Sequence, residues 1–226
     1  MTRYAIGDIH GGAKTFQALL DKIGLNLADR LYLLGDYIDR GPDSKGVLDI
    51  ILKFMDEGFD LRPVRGNHED MLLQSIYSDD AFLKNWIDVW ATETLKSFGV
   101  KSSRDIPVRY IDLLEQMPYT WSDDNFVFVH AGLDMTMDDP LTESGPLAML
   151  WGENTPSGKN RLNGRTLVTG HKIRPIPMIE LSLLTDHYQL DNGAFCNMQP
   201  HLGNLVALNL DTRELIIQPW CDGPTD

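Results

Sequence analysis

Leu31-Tyr32-Leu33-Leu34-Gly35-Asp36-Tyr37-Ile38-Asp39-Arg40-Gly41 is the stretch whose reading decides the fold. Four consecutive apolar residues are short enough for a strand buried on both faces, and a glycine-flanked acidic turn follows at once. The same grammar recurs on either side. Upstream, Tyr4-Ala5-Ile6 leads into Gly7-Asp8-Ile9-His10-Gly11, and downstream Leu61-Arg62-Pro63-Val64 leads into Arg65-Gly66-Asn67-His68-Glu69. Between these runs, Phe16, Leu19, Leu20 and Ile23 make one apolar helical face that Gly24 ends; Val47, Leu48, Ile51, Leu52 and Met55 make a second, with Gly58 as the stop. A βαβαβ rhythm of this kind predicts parallel strands joined by crossover helices.

Working outward, residues of about 70–117 read as a helical insertion. Trp86, Val89, Trp90 and Leu95 carry much of its apolar character, and Pro107 opens a helix that runs to about Met117. The insertion holds none of the glycine-flanked motifs. It is expected to form a cap or partial lid at the site edge, with its aromatics in the core. Short strands then return: Phe126-Val127-Phe128-Val129 ends at His130-Ala131-Gly132, Thr166-Leu167-Val168-Thr169 ends at Gly170-His171, and Leu205–Leu210 with Leu215–Gln218 reads as an antiparallel hairpin. Residues 152–164, rich in Gly, Pro, Ser, Thr and Asn, read as a loop. One α/β domain over 1–226, with sheets between helices, accommodates every element.

Composition narrows the function classes. A net charge of −13 argues against nucleic acid or an anionic membrane as partner, since both need Lys and Arg to neutralise phosphate. No apolar run approaches the ~20 residues of a membrane span. The first strand begins at Tyr4, which leaves no room for a signal peptide, so a cytoplasmic location is expected. Cys196 and Cys221 lie in no Cys-x-x-Cys pair and are expected to be reduced thiols.

The chemistry is concentrated where strands end. Ligands of open α/β sheets bind beyond the carboxyl ends of the strands, and Asp8, Asp36, Asn67, His130 and His171 each follow an apolar run. Two carboxylates, three imidazoles and an amide oxygen suit two divalent cations. Asp8, His10 and Asp36 are assigned to one metal, and Asp36, Asn67, His130 and His171 to the other, with Asp36 bridging. Such a pair shares a hydroxide and clamps phosphate oxygens for in-line attack. His68, beside Asn67, is the candidate general acid, with Asp39 to orient and charge it. Arg40 and Arg65 flank the same loops and match phosphate oxygens bidentately; Arg161, Arg165 and Arg174 are weaker candidates for a third contact. Glu69 reads as a helix-start residue supporting the site. Trp121 and Trp151 are expected in the core, and His187 and His201 have no motif around them. Asp79-Asp80, Asp123-Asp124 and Asp138-Asp139 read as turns and solvated faces.

In their order and completeness these motifs resemble the phosphoprotein-phosphatase family of calcineurin-like metallophosphoesterases, above all its bacterial and phage-type serine/threonine phosphatases. The matching stretches, GDIHG, GDYIDRG, RGNHE, HAG and the later GH, span residues 7 to 171. Leu190-Asp191-Asn192-Gly193-Ala194 also resembles the family's C-terminal sheet. The resemblance implies a β-sandwich flanked by helices with a binuclear site at the strand ends. It also implies two metals, manganese or an iron/zinc pair, and a histidine acid paired with an aspartate. The expected substrates are phosphoserine and phosphothreonine in proteins, or a smaller phosphoester. His130-Ala131-Gly132 departs from the eukaryotic His-Gly-Gly and is similar to bacterial members and to the symmetrical diadenosine tetraphosphatases, which supply the alternative activity. Asp39 and Glu69 weigh toward the protein-phosphatase branch, because the tetraphosphatases typically lack that aspartate and carry Asp after Asn-His. A binding module with purely structural metals is a third reading, which leaves the acid/base pair and the arginines without a purpose.

Overall fold

The computed structural model describes residues 1–78, 90–152 and 159–223, without the side chains of residues 159 and 160. Trp86, Val89 and Asp79-Asp80 lie outside the described residues.

The first half alternates as its sequence predicts. Strand β1 (Arg3–Ile6), helix α1 (Ala13–Ile23), β2 (Arg30–Leu33), α2 (Ser44–Asp56) and β3 (Asp60–Pro63) form two successive steps of strand, helix, strand, and the strands pair in parallel. Gly24 ends α1 with φ 63°, a left-handed cap that only glycine adopts without strain. Helix α3 (Asn67–Tyr77) starts directly on the third motif, followed by α4 (Thr92–Phe98) and α5 (Val108–Gln116), for which Pro107 is the N-cap. Then come β4 (Thr120–Ser122), β5 (Phe126–Val129), the short helices α6 (Pro140–Glu143) and α7 (Pro146–Trp151), β6 (Thr166–Thr169), α8 (Ile176–Ser182) and β7 (His187–Gln189). The chain closes with the expected antiparallel pair, β8 (Asn204–Asn209) and β9 (Leu215–Pro219). Within the expected loop 152–164, Lys159–Leu162 forms a 3-10 turn, and residues 153–158 lie outside the described residues.

These strands make a five-stranded sheet, ordered β3-β2-β1-β8-β9, and a four-stranded sheet, ordered β4-β5-β6-β7. Alternation along each strand explains how the sheets are covered. Tyr32 and Phe128, on facing strands, stack with ring centres 3.6 Å apart, inside a core shared by Ala5, Leu34, Val168, Tyr188 and Val206 between the sheets. The other face of β2, Leu31 and Leu33, packs on Phe16 and Leu19 of α1 and Leu48 and Ile51 of α2. The other face of β5, Val127 and Val129, packs on Met149 and Leu162. The fold is thus a sandwich of two sheets with helices on the outer faces, the architecture that the resemblance implies. Its consequence for function is geometric: β1, β2, β3, β5 and β6 all end at the same rim, where the motif loops begin. Cys196 and Cys221 are free thiols.

Candidate metal and phosphate site

The motif loops are laced to one another through their backbones. The N–H groups of Ile9 and His10 donate to the Asp36 carbonyl at 3.0 and 2.8 Å, and Gly41 N–H donates to the His10 carbonyl at 3.0 Å. Gly170 N–H donates to the His130 carbonyl at 2.9 Å, and the N–H of His171 reaches both Asp8 oxygens, at 3.1 and 2.9 Å. Glu69 fastens the second and third motifs together: its buried carboxylate accepts the N–H groups of Asp36 (2.9 Å), Tyr37 (2.8 Å), Ile38 (3.3 Å) and Gly66 (2.9 Å). That is the supporting role expected of it. The tight lacing has a conformational cost. His10, Asp36, Asp39, Arg40 and His171 all adopt φ between 47° and 68°, the left-handed region that bulky residues avoid. Gly35, at φ 96°, allows the turn before Asp36, and a Cβ there would come within 2.8 Å of His130 Nδ1.

At the centre lies Asp36. His10 Nε2 is 3.5 Å and His68 Nε2 3.9 Å from its Oδ2, while His130 Nε2 is 3.4 Å from its Oδ1. Two donor groups share this carboxylate, His10–Asp36–His68 and Asp36–His130–His171, with ligand atoms within 4.8 Å of one another in each. Asn67 Oδ1 is 2.8 Å from His130 Nε2, which is also 3.1 Å from His171 Nδ1. The structure therefore brings together Asp36, Asn67, His130 and His171 as the sequence predicts. It adds His68 to the group around His10, where the sequence placed Asp8. Asp8 is buried nearby and is in neither group, its oxygens turned to the His171 N–H.

The donor set fits cations. His10 and His130 face backbone carbonyls through Nδ1 (Ile38 O at 3.0 Å, Leu34 O at 2.8 Å), which fixes the proton there and leaves Nε2 as a lone pair. Burial keeps these rings neutral, lowering His10 to about 3 and His171 to about 4, and lowering His130 as well. The lone pair of His130 then faces the Asn67 amide oxygen, an acceptor against an acceptor, and a shared cation resolves that. Burial raises the carboxyls of Asp8, well above the ordinary range, and of Asp191, to about 7, with their mutual proximity to Asp36 adding to it. Asp36 itself is held down: burial opposes its charge, but the imidazoles of His130, His68, His10 and His171, protonated in the acid range where this carboxyl titrates, outweigh burial.

Beside this centre, His68 Nδ1 lies 2.6 Å from Asp39 Oδ2, and the other Asp39 oxygen accepts the Thr94 hydroxyl at 2.5 Å. Burial would lower the His68 pKa, but Asp36 and Asp39 outweigh it and raise it. A cavity of about 140 Å3 opens over these groups, lined by His10, Asp36, Arg40, Asn67, His68, Trp90, Trp151, His171, Ile173, Asp191 and Phe195. Three expectations need correction. Trp90 packs against the core as expected but also lines this cavity, and Trp151, expected in the core, lines it while 37% exposed. Arg65 was expected at the phosphate. Its guanidinium instead donates to the Glu115 carbonyl at 2.7 Å and the Tyr119 hydroxyl at 3.3 Å, and lies 3.6 Å from Asp70, so it ties the start of α3 to the end of α5. Arg161 donates to the Met137 carbonyl and Arg165 to the Leu162 carbonyl, and neither they nor Arg174 line the cavity. Thr94, Asp191 and Phe195 escaped the sequence reading. Asp191 had a weak signal: it follows a short strand and precedes Asn-Gly, a turn signal. Thr94 and Phe195 had none.

Comparison with known proteins identifies the family and the fold. A symmetrical bis(5'-nucleosyl)-tetraphosphatase from Nitrosomonas europaea is 36% identical over 134 residues, 59% of this chain and 45% of that protein. The chain spans about half the length of such curated relatives. Among solved structures, a protein provisionally named a diadenosine tetraphosphatase superposes with a TM-score of 0.69 at 20% identity, covering 98% of this chain and 95% of the other. A protein serine/threonine phosphatase from Saccharomyces cerevisiae superposes with a TM-score of 0.63 at 18% identity, covering 97% and 79%. At such identities these structures attest the fold. The calcineurin-like phosphoesterase model matches residues 1–191, from the first strand through every motif to Asp191, and the chain belongs to that family.

Proposed function

We propose that this protein is a metal-dependent hydrolase of dinucleoside polyphosphates, cutting a tetraphosphate bridge symmetrically. The observation that carries the substrate class is the likeness to proteins named symmetrical bis(5'-nucleosyl)-tetraphosphatase, at 36% and 32% identity over 134 residues each. The cavity supports it. About 140 Å3 is well below the roughly 300–1,000 Å3 of pockets that enclose a drug-sized ligand. It takes the reacting phosphoryl group and leaves the nucleosides at the mouth, beside Trp151 and Ile173.

In this reading Asp36, with His10, Asn67, His130, His171 and Asp8, holds two divalent cations, manganese or an iron/zinc pair. Asp8 takes part through the lone pairs its bonds from His171 leave over. When bound, such cations lower the pKa of water and neutralise phosphoryl oxygens. The chain's own residues do the rest. Arg40 binds phosphoryl oxygens from the cavity wall. His68 holds a proton at Nε2, aimed into the cavity, while Asp39 fixes Nδ1 and stabilises the imidazolium. As water adds to phosphorus and the bond to the bridging oxygen breaks, His68 delivers that proton to the leaving oxygen.

The second reading is a phosphoserine/phosphothreonine phosphatase, favoured by the Asp39–His68 pair at 2.6 Å. An alkoxide leaving group needs a proton far more than a diphosphate does, so a well-built acid suits that substrate. Steady-state rates on manganese-supplied protein separate the two. A higher kcat/KM for diadenosine tetraphosphate than for a phosphothreonine peptide is expected. The reverse order rejects the dinucleotide assignment.

A further inference from the structure

Some arginines in this protein have acidic partners. Arg3, Arg30, Arg62, Arg65 and Arg109 each lie within salt-bridge distance of an aspartate. Arg40 is different. Among the described residues it pairs with no carboxylate, and its Nε, like those of Arg65 and Arg174, is buried with no hydrogen-bond partner. Asp39, its neighbour in sequence, is already committed to His68 and Thr94. Two aromatic rings lie against its guanidinium. The Arg40 guanidinium carbon is 4.4 Å from the centre of the Trp90 ring and 5.2 Å from that of Phe195. Each ring also touches an imidazole of the centre: Phe195 meets His10 edge-on at 4.9 Å, and Trp90 lies 5.8 Å from His68.

Stacking and salt-bridging hold a guanidinium in different ways. A carboxylate occupies the N–H edge and cancels the charge. Aromatic faces hold the plane from above and below, leaving the edge and the charge for another ligand. The unsatisfied Nε–H is part of that edge, and burying it without a partner is unfavourable until an oxygen arrives. We propose that Trp90 and Phe195 are positioning residues for substrate: they hold Arg40 as an unneutralised, pre-oriented edge for two phosphoryl oxygens. This rests on the phosphoester reading above and assigns a role to the aromatic wall that faces the centre.

The test uses full-length, manganese-supplied protein, p-nitrophenyl phosphate as substrate and inorganic phosphate as competing ligand. Trp90→Leu is expected to raise KM and the phosphate inhibition constant together by about tenfold, with a smaller change in kcat, as loss of a partly buried cation–π contact requires. Trp90→Phe, which keeps a ring face, restores both constants most of the way. Phe195→Leu shifts both in the same direction, and it reports independently should Trp90→Leu melt early. Combining Trp90→Leu with Arg40→Ala gives a protein no worse than Arg40→Ala alone. Unchanged constants in both leucine variants, or full additivity on the Arg40→Ala background, overturns the clamp and leaves the phosphoesterase reading standing. A wild-type protein that hydrolyses no phosphoester and binds no phosphate overturns that reading, and the clamp with it.

Discussion

The floor and the wall of the cavity are built in opposite ways. The floor consists of strand-end loops, with Asp36, Asn67, His68 and His130 each no more than 4% exposed. Backbone hydrogen bonds lace those loops together, and Glu69 fastens two of them through four N–H groups. The wall consists of Trp90, Trp151, Ile173 and Phe195, rings and an aliphatic side chain in apolar and stacking contact, with Trp151 and Ile173 each 37% exposed. Hydrogen bonds and strained backbone fix positions to a fraction of an ångström, which reacting atoms require. Apolar faces hold planes and exclude water while tolerating variation in what they touch. Chemistry is therefore assigned to the floor, and recognition to the wall.

Substitutions on the floor are the sharpest way to break that division. Asp36→Asn removes the carboxylate common to both donor groups. It is expected to reduce kcat by about 10⁴-fold, the upper end for a single catalytic group, and to abolish manganese binding measured by titration calorimetry. An Asp36→Asn protein that keeps its metal and its turnover contradicts the site. His68→Ala comes next, and its effect depends on the leaving group. On a phosphothreonine peptide the loss should be roughly 10²–10⁴-fold; on diadenosine tetraphosphate, whose leaving oxygen is already a good one, it should be several-fold smaller. Equal losses on both substrates remove His68 as the proton donor.

The same division explains what could be read from the sequence. A floor residue must sit at a strand end, beside glycine, because the backbone has to turn sharply there; Gly7-Asp8, Gly35-Asp36, Gly66-Asn67 and Gly170-His171 announce themselves for that reason. The alternation of Phe126-Val127-Phe128-Val129 between two cores was likewise legible, since a buried strand needs apolar residues on both faces. The wall imposes no such local rule. Trp90 and Trp151 have the spacing and apolar setting of core residues, and only the docking of α4 and α7 against the motif loops turns them toward the cavity. Arg65 misled for the converse reason. It stands in the third motif, but its long side chain runs away from the loop to the end of α5. Side-chain direction is set by tertiary neighbours, and no short sequence window contains them.

Thr94 lies where floor meets wall, and its substitution measures how far the helical insertion supports the chemistry. Its hydroxyl bonds Asp39 Oδ1 and also accepts the Asp39 N–H at 2.9 Å. Thr94→Val keeps the shape and removes both bonds. A fall in kcat of about 10-fold, the lower end for residues that orient a catalytic group, is expected. Thr94→Ser should restore most of it. A Thr94→Val enzyme as fast as wild type assigns Asp39 a fixed position without help from α4.

The smallest effect belongs far from the rim, at the opposite ends of β2 and β3. There Asp60 accepts from Arg30 and Arg62, each at 2.6 Å. Partial burial opposes the charge of Asp60, but the two guanidinium groups outweigh it and hold its carboxyl below the usual range. The sign follows from linkage: a depressed carboxyl contributes stability that is fully present above its unfolded value, about 3.9, and is lost as pH falls through the folded one. Because the group is 30% exposed, the contribution is well under about 1 kcal/mol. Asp60→Asn should therefore leave kcat and KM unchanged and destabilise the protein slightly at neutral pH, with the difference from wild type closing below about pH 4. Thermal melts from pH 7 down to pH 3 measure it. A change in turnover at neutral pH would mean that this end of the sheet communicates with the rim, and the separation of catalytic floor from structural scaffold would then fail at its most distant point.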